Sequence, residues 1–391
     1  MAYRKLPSGV QDILPEECFL LNEIQNKLRR HFSVCGFDPV LPSSLEYYDT
    51  YSEIKNRIPQ ERMFKFTDSD GRILVLRPDT TLAISRIAAT KLGCARARLC
   101  YFADKWDMQN AGGLFSREIY QAGVECLGEE GVFSDAQAVA FAIECLRAVG
   151  VKNFILDIGH VGYFKGILKE CGLNDADAET VRRCINSKDA VHAEKLLRKR
   201  GVSGETLNRV LALPALFGGA EIFERAYALT DNCEARAAVD YLRKLNALLS
   251  DMGYAEELRF DLGTVKRLSY YSGIVFSALV NEVGAPVLSG GRYDNLAADF
   301  GKHIPAVGFA IGLKRIMIAL ERQGGFSAVS KVGVIICDEG AEGKAYRLFS
   351  ELTGRGERVR LSASAGRAAI AAERVNAEKI YYVTKDGVET L

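Results

Sequence analysis

Residues 163–250 carry no strand signal, yet strands are legible on both sides of them. This break in texture constrains the fold of the 391-residue chain more than any other feature. Upstream, Ala97–Phe102 alternates like a strand and Glu118–Leu127 forms a second strand-like run. A glycine-bearing loop (Asn110, Ala111, Gly112, Gly113) separates them, which is a hairpin pattern with a long loop. Asn153–Ile158 reads as a further strand, closed by Gly159. Downstream, strand signals return at Leu258–Leu262, Tyr270–Val280 and Pro286–Ser289. Between them short helices follow one another, broken by Gly172, Gly201, Pro214 and Gly218–Gly219. The segment of about 163–250 therefore reads as a helical insertion in a strand-bearing core.

The rest of the chain divides simply. Leu20, Leu21, Ile24, Leu28 and Phe32 recur at helical spacing over 16–34, with Glu16 and Glu17 at the start, Lys27, Arg29 and Arg30 near the end and Gly36 as the stop. Strand-like pieces lie at Phe64–Phe66 and Ile73–Leu76, and residues 134–149 read as helix. The sequence Gly290-Gly291-Arg292-Tyr293-Asp294 precedes a helix expected near Gly308–Leu320. Residues 322–331 look like a linker. In the tail, strands at Val332–Ile336, Arg358–Leu361 and Ile380–Val383 alternate with helices at Glu342–Thr353 and Gly366–Val375. That alternation predicts a small α/β module with a largely parallel sheet. The expected domains are 1–325, with the insertion inside it, and 331–391.

Composition excludes several function classes. The chain has 51 Lys+Arg against 50 Asp+Glu, which argues against a protein that lives on nucleic acid by counterion release. The ten cysteines include no Cys-x-x-Cys pair, so they read as scattered thiols in a reducing compartment, with no metal site. No run reaches the ~20 apolar residues of a membrane span. The charged start, broken by Pro7 and Gly9, has no apolar signal core. A cytoplasmic location is expected.

Common catalytic signatures are absent. There is no phosphate-binding Gly-x-x-x-x-Gly-Lys-Ser/Thr loop, no Gly-x-Gly-x-x-Gly turn and no Gly-x-Ser-x-Gly elbow. His31, His160, His192 and His303 are isolated and read as surface or packing residues. On motifs and periodicity alone the chain is a multi-domain α+β protein.

A series of segments resembles one family. Leu6-Pro7-Ser8-Gly9-Val10-Gln11-Asp12-Ile13-Leu14-Pro15 resembles the opening of histidyl-tRNA synthetases and of their paralogue, the regulatory subunit of ATP phosphoribosyltransferase. Gly36-Phe37-Asp38-Pro39-Val40-Leu41-Pro42 is similar to the first class II synthetase signature, which builds a dimer interface. Leu76-Arg77-Pro78-Asp79-Thr80-Thr81 resembles the family's Leu-Arg-Pro-Glu/Asp segment, and Arg117–Glu125 the downstream half of the second signature. Leu268-Ser269-Tyr270-Tyr271-Ser272-Gly273 resembles the histidine-specific stretch. Gly290–Asp294 and Ala306–Arg315 resemble the third signature. The resemblance covers about residues 1–320. It implies an α+β fold, with a class II synthetase-like antiparallel sheet flanked by helices, the helical insertion and the small C-terminal α/β module.

The departures point to one branch. In active synthetases the second signature begins Phe-Arg-x-Glu, with the arginine on the α-phosphate of ATP and the glutamate near adenine. The matching positions here are Asp107 and Gln109, after Trp106. An acid close to a phosphate costs about 4 kcal/mol for a unit-charge pair at ~4 Å and an effective dielectric near 20. The catalytic arginine of the histidine-specific stretch corresponds to Lys266, which lacks a planar fork, although Arg267 stands beside it. Arg315 matches an adenine-stacking arginine, or is a structural helix residue. Together Asp107, Gln109, Lys266 and Arg315 read as a degenerate ATP site.

The amino-acid site reads as kept. The resemblance puts the carboxylate and hydroxyl that hold an α-ammonium on Asp79 and Thr81. It puts the contact to the ligand backbone on Gln121, the imidazole acceptor on Glu125, and aromatic partners on Tyr270 and Tyr271. Arg117 matches a further family arginine and joins the expected histidine-binding set. A zwitterion with an imidazole needs such groups. The plainer readings stay open: Gln121 and Glu125 as the polar face of a strand, Tyr270 and Tyr271 as packing aromatics, Asp79 as a turn residue. Arg198-Lys199-Arg200 reads as a solvated helix end rather than a tRNA patch.

The resemblance thus implies a non-catalytic regulatory subunit of ATP phosphoribosyltransferase, without a cofactor or catalytic residues. It would form a homodimer through the core and a hetero-octamer with a short catalytic subunit. Histidine would act as feedback effector, and tRNA would not bind. Two other readings remain at this point: an active histidine–tRNA ligase with a degenerate second signature, and a histidine-binding paralogue serving another partner.

Overall fold

The hairpin expected from the sequence is longer than its periodicity suggests and forms the spine of the larger unit. A computed structural model describes residues 5–52, 58–93, 96–109, 116–263, 271–325, 332–374 and 377–391. Strands Ala97–Trp106 and Glu118–Leu127 pair antiparallel along their full lengths. They lie inside a nine-stranded sheet ordered Asp38–Pro39, Ala97–Trp106, Glu118–Leu127, Ala306–Gly312, Leu288–Arg292, Ile274–Val280, Phe154–His160, Leu258–Asp261, Phe217–Gly218. The pairing is antiparallel through the centre. It is parallel at Asp38–Pro39 with Ala97–Trp106 and at Phe154–His160 with Leu258–Asp261, so the sheet is mixed towards its edges.

Helices cover the sheet because their apolar residues fall on one stripe. Helix Pro15–Val34 begins on a proline and carries Glu16 and Glu17 in its first turn. It buries Leu20, Ile24, Leu28 and Phe32. Each such side chain contributes about 1.5–3 kcal/mol on leaving water. It packs against helices Val132–Val149 and Leu313–Arg322. A separate three-stranded antiparallel sheet, ordered Leu45–Tyr47, Ile73–Leu76, Lys65–Thr67, delivers the chain to helix Thr80–Thr90.

Several elements differ from their sequence reading. Ala306–Gly312 is a central strand, and the helix expected near Gly308–Leu320 starts only at Leu313. A continuous apolar run does not separate a buried strand from a helix by period. Gly159 does not close its strand but lies inside Phe154–His160. The strand expected at Pro286–Ser289 runs Leu288–Arg292. The strand expected from Tyr270 starts at Ile274; the notional residues 264–270, like the loop at 110–113, lie outside the described residues.

The segment 163–250 is helical, with helices Val161–Lys169, Asp175–Asn186, Ala190–Lys199, Gly204–Ala212, Ile222–Leu229 and Cys233–Asp251. It is not free of strand: Phe217–Gly218 pairs with Leu258–Asp261 and ends the main sheet. Two residues are too few to show an alternation. Arg198 pairs with Glu194 and Arg200 with Asp177, so the basic cluster is engaged at its helix end. His160 caps helix Val161–Lys169 by accepting from the Gly162 amide at 3.1 Å. Burial pushes its pKa down to about 4, leaving a neutral ring.

Contacts divide the chain into Met1–Gly325 and Phe326–Leu391. The second unit has a four-stranded sheet ordered Val359–Leu361, Val332–Cys337, Ala377–Val383, Val388–Thr390. The first three strands are parallel, and the last, which the sequence reading lacks, is antiparallel. Of the expected linker, Arg322 ends helix Leu313–Arg322, residues 323–325 form the turn that follows it, and residues 326–331 lie outside the described set. Among the described residues, no helix is long and apolar enough to cross a membrane.

Candidate functional site

The site is built on one row of the main sheet. Glu125 stands opposite Leu99 on one side and Gly308 on the other, and Gly308 stands opposite Gly291. Paired residues share a face, so these two glycines leave bare sheet beside Glu125. The Glu125 carboxylate lies across one of them. The Tyr271 ring lies across the other, where a Cβ on Gly291 would stand 2.7 Å from its Cδ1. Gly123 serves the same purpose beneath the Tyr101 hydroxyl, 2.4 Å from the place its Cβ would take.

Glu125 is 1 % exposed. The Thr81 hydroxyl donates to its Oε1 at 2.7 Å, and the Tyr293 hydroxyl donates to Oε2. Burial pushes the carboxyl up to about 8, against the pull of both hydroxyls. The same desolvation, with the fields of Asp79 and Glu125, raises the Tyr271 hydroxyl. Thr81 reaches this point because helix Thr80–Thr90 starts beneath the sheet. Asp79 is its N-cap, accepting from the Leu82 amide at 2.9 Å. The fully buried Arg77 anchors that turn by donating to the carbonyls of Pro42 at 2.7 Å and Asp104 at 3.0 Å.

Above Glu125 opens a cavity of about 480 Å³, lined by Asp79, Thr81, Tyr101, Gln121, Tyr271 and Tyr293. Farther along it are Arg62, Lys105, Asp107, Lys314 and Arg315. The groups next to Glu125 are acidic, phenolic or neutral, whereas the cations Arg62, Lys105, Lys314 and Arg315 lie farther along, beside the acids Asp107 and Glu118. Such polarity suits a ligand with an ammonium or imidazole at one end and an anion at the other. Among the described residues, no group of three or more His, Cys, Asp or Glu is placed to hold a metal ion.

The structure brings Asp79, Thr81, Gln121 and Tyr271 to the cavity wall; Glu125 is not itself a lining residue but lies buried directly behind the wall, bonded to the lining residues Thr81 and Tyr293. Tyr270 and Lys266 lie outside the described residues. Arg117 precedes strand Glu118–Leu127 and is not among the cavity-lining residues; its amide donates to the Gly9 carbonyl at 2.7 Å. Tyr101, Lys105 and Tyr293 were not singled out by the sequence reading. Tyr293 was legible in principle: alternation along Gly290–Tyr293 sends residues 291 and 293 to one face and Arg292 to the other.

At the expected ATP end, Asp107 does not face the cavity as a bare charge. Arg62 Nε donates to its Oδ1 at 3.1 Å, and Nη2 donates to Oδ2. Burial pushes this carboxyl up, but the Arg62 guanidinium outweighs it and the group sits below the ordinary carboxylate value. The simple repulsion argued from sequence is therefore compensated, because the pair is close to neutral. Gln109 is exposed, and its amide donates to Asp107 Oδ1 at 3.1 Å. Arg315 lines the cavity and donates to the Pro286 carbonyl at 2.6 Å.

The histidyl-tRNA synthetase family profile matches residues 9–316. The ATP phosphoribosyltransferase regulatory subunit of Acetivibrio thermocellus is 38% identical over 364 residues, covering 92% of this chain and 87% of that protein. That of Clostridium acetobutylicum is 38% identical over 362 residues, covering 91% and 89%. The chain belongs to the ATP phosphoribosyltransferase regulatory subunits. Its family is thus one of histidine biosynthesis, built on a histidyl-tRNA synthetase-like fold. A Bacillus halodurans protein described as an ATP phosphoribosyltransferase regulatory subunit/histidyl-tRNA synthetase superposes with a TM-score of 0.88 at 29% identity, covering 97% of this chain and 98% of that one. A Nostoc sp. histidyl-tRNA synthetase shares the fold, with a TM-score of 0.82 at 19% identity and coverage of 98% and 92%.

Proposed function

We propose that this regulatory subunit has no catalytic centre of its own, and that it senses histidine through the cavity above Glu125. In this reading it assembles with a short catalytic subunit, as a hetero-octamer, on a homodimer of its larger unit. The catalytic partner carries out the first step of histidine biosynthesis, joining ATP to phosphoribosyl pyrophosphate. Histidine, the end product, binds the cavity and favours an inhibited state of the complex. The names of the relatives support the regulatory role.

One observation carries the histidine reading. Asp79, Thr81, Gln121 and Tyr271 line a single cavity with Glu125 bonded behind Thr81, while the position of the phosphate-gripping arginine holds an aspartate committed to Arg62. The ligand ammonium lies against Asp79. Its ring N–H donates to Glu125, whose retained proton leaves one oxygen able to accept. Tyr101 and Tyr271 flank the ring. Arg117 and Tyr270 belong to the same histidine-binding set, and Lys266 and Arg315, with Asp107 and Gln109, to a degenerate ATP site. The tail, 331–391, acts as a shortened relative of an anticodon-binding module that does not read tRNA.

Coupling between histidine and the partner's substrates is of the order of 1–3 kcal/mol and reciprocal. Calorimetric titration of the chain with histidine, repeated with Glu125→Ala, tests the pocket: binding by the wild type and its loss in the variant are expected. Pyrophosphate exchange with histidine and ATP tests the ligase alternative, and measurable exchange would overturn the non-catalytic reading. Recovery of a phosphoribosyltransferase with the native complex tests the partnership.

A further inference from the structure

Of the proposed histidine set, Asp79, Thr81, Gln121, Glu125 and Tyr271 are acidic or neutral, and the cation Arg117 is not among the cavity-lining residues, so another group on the cavity wall has to supply the counter-charge for the ligand's carboxylate. We infer that Lys105 supplies it and sets the requirement for an α-carboxylate. This rests on the histidine reading above and adds to it a specificity-determining residue.

Lys105 lies on the cavity face of strand Ala97–Trp106. It follows Leu99, Tyr101 and Ala103 at a spacing of two, and these stand opposite Glu125, Gly123 and Gln121. The row therefore runs from Glu125, past the Tyr101 ring and Gln121, to Lys105. The backbone span from Leu99 to Lys105 is about 20 Å, which two long side chains and one amino acid between them fill. Asp79 acts electrostatically on both ends, on Glu125 and on Lys105. It sits where an ammonium between ring and carboxylate would be held.

The neighbouring cations have other work. Arg62 is committed to Asp107, and Arg315 donates to Pro286. Lys314 lies in the field of Glu17 of helix Pro15–Val34. The Lys105 ammonium makes no hydrogen bond or ion pair with a described residue, and the side chain lines the cavity. Burial lowers its pKa, opposed by the fields of Asp79 and Asp107. A cation held that way gains most from an anion brought into the same low-dielectric space.

The test compares L-histidine with L-histidinamide, which keeps ring and ammonium but has a neutral amide for the carboxylate. Both are titrated calorimetrically into the full chain and into Lys105→Met and Lys105→Arg. Removing a desolvated cation should not unfold the chain, and thermal melting checks this. The wild type should prefer histidine by about tenfold or more. Lys105→Met should lose that preference, weakening histidine about tenfold while moving histidinamide less than about twofold. Lys105→Arg should restore most of it. Unchanged histidine binding in Lys105→Met, or equal loss of both ligands, would overturn the inference and leave the histidine site standing. A wild type that binds neither ligand would overturn both.

Discussion

The Glu125 carboxylate occupies the space that a side chain at Gly308 would need. A Cβ on Gly308 would stand 1.8 Å from Glu125 Oε2 and 2.4 Å from the Val124 carbonyl oxygen. The glycine is thus required by the acid on the neighbouring strand, and the acid's position depends on the glycine.

Gly308→Ala should therefore move Glu125 or open the strand pair. The expected cost is about 1–3 kcal/mol, the usual range for overpacking, measured by chemical denaturation. Histidine binding should be lost in the same variant even where it remains folded, as calorimetry would reveal.

Glu125 should also imprint a pH dependence on stability. Its pKa is raised from 4.5 to about 8, so the folded chain holds a proton that the unfolded chain has released. The stabilisation is fully present below about pH 4.5 and is lost as pH rises to about 8. Glu125→Gln should flatten the stability profile in that window, by an amount of the order of a few kcal/mol, in denaturation curves taken across it.

Arg62 and Asp107 form a pair in which one member is buried. Arg62→Ala leaves the carboxylate desolvated and should cost about 1–3 kcal/mol, less than for a fully buried pair because Arg62 is partly exposed. The depressed Asp107 pKa gives stability that is present above its unfolded value, 3.8, and lost as pH falls through the folded one. That acid-side loss should disappear in Arg62→Ala, measured by urea denaturation below about pH 5.

Arg292 and Asp135 connect the sheet to helix Val132–Val149. Arg292 Nε donates to Asp135 Oδ1 at 2.8 Å, and Tyr241, from helix Cys233–Asp251, donates to Oδ2 at 2.7 Å. Asp135 has no exposed surface and Arg292 almost none. Asp135→Ala should destabilise by about 3 kcal/mol, because the buried guanidinium loses its buried carboxylate partner and keeps Asp294 and the Glu129 carbonyl. The double variant Asp135→Leu, Arg292→Met should be more stable than either single change, and a double-mutant cycle in denaturant measures the coupling.

Much of this was readable in one dimension. Periodicity located helix Pro15–Val34, the 97–127 hairpin and the helical segment after residue 160, because burial of a stripe or a face leaves a repeat of 3.6 or 2 in the sequence. The ordered family segments marked Asp79, Thr81, Gln121, Glu125 and Tyr271 as one set. The strand Ala306–Gly312 was misread as helix, since a strand buried on both faces has no alternation to display.

What the sequence determined by itself was which side chains are available and which strands and helices carry them. It could not determine who stands beside whom across the sheet. Register alone places Gly308 under Glu125, aligns Lys105 with Gln121 on one cavity face, and turns Arg292 away towards Asp135. Packing of the turn Gln60–Arg62 brings Arg62 to Asp107, converting an apparent bare acid into half of an ion pair. Those neighbours are up to 183 residues apart in sequence, the separation of Gly308 from Glu125. Their contact is set by backbone hydrogen bonds between distant strands and by packing between distant segments, interactions that leave no local pattern for periodicity to reveal.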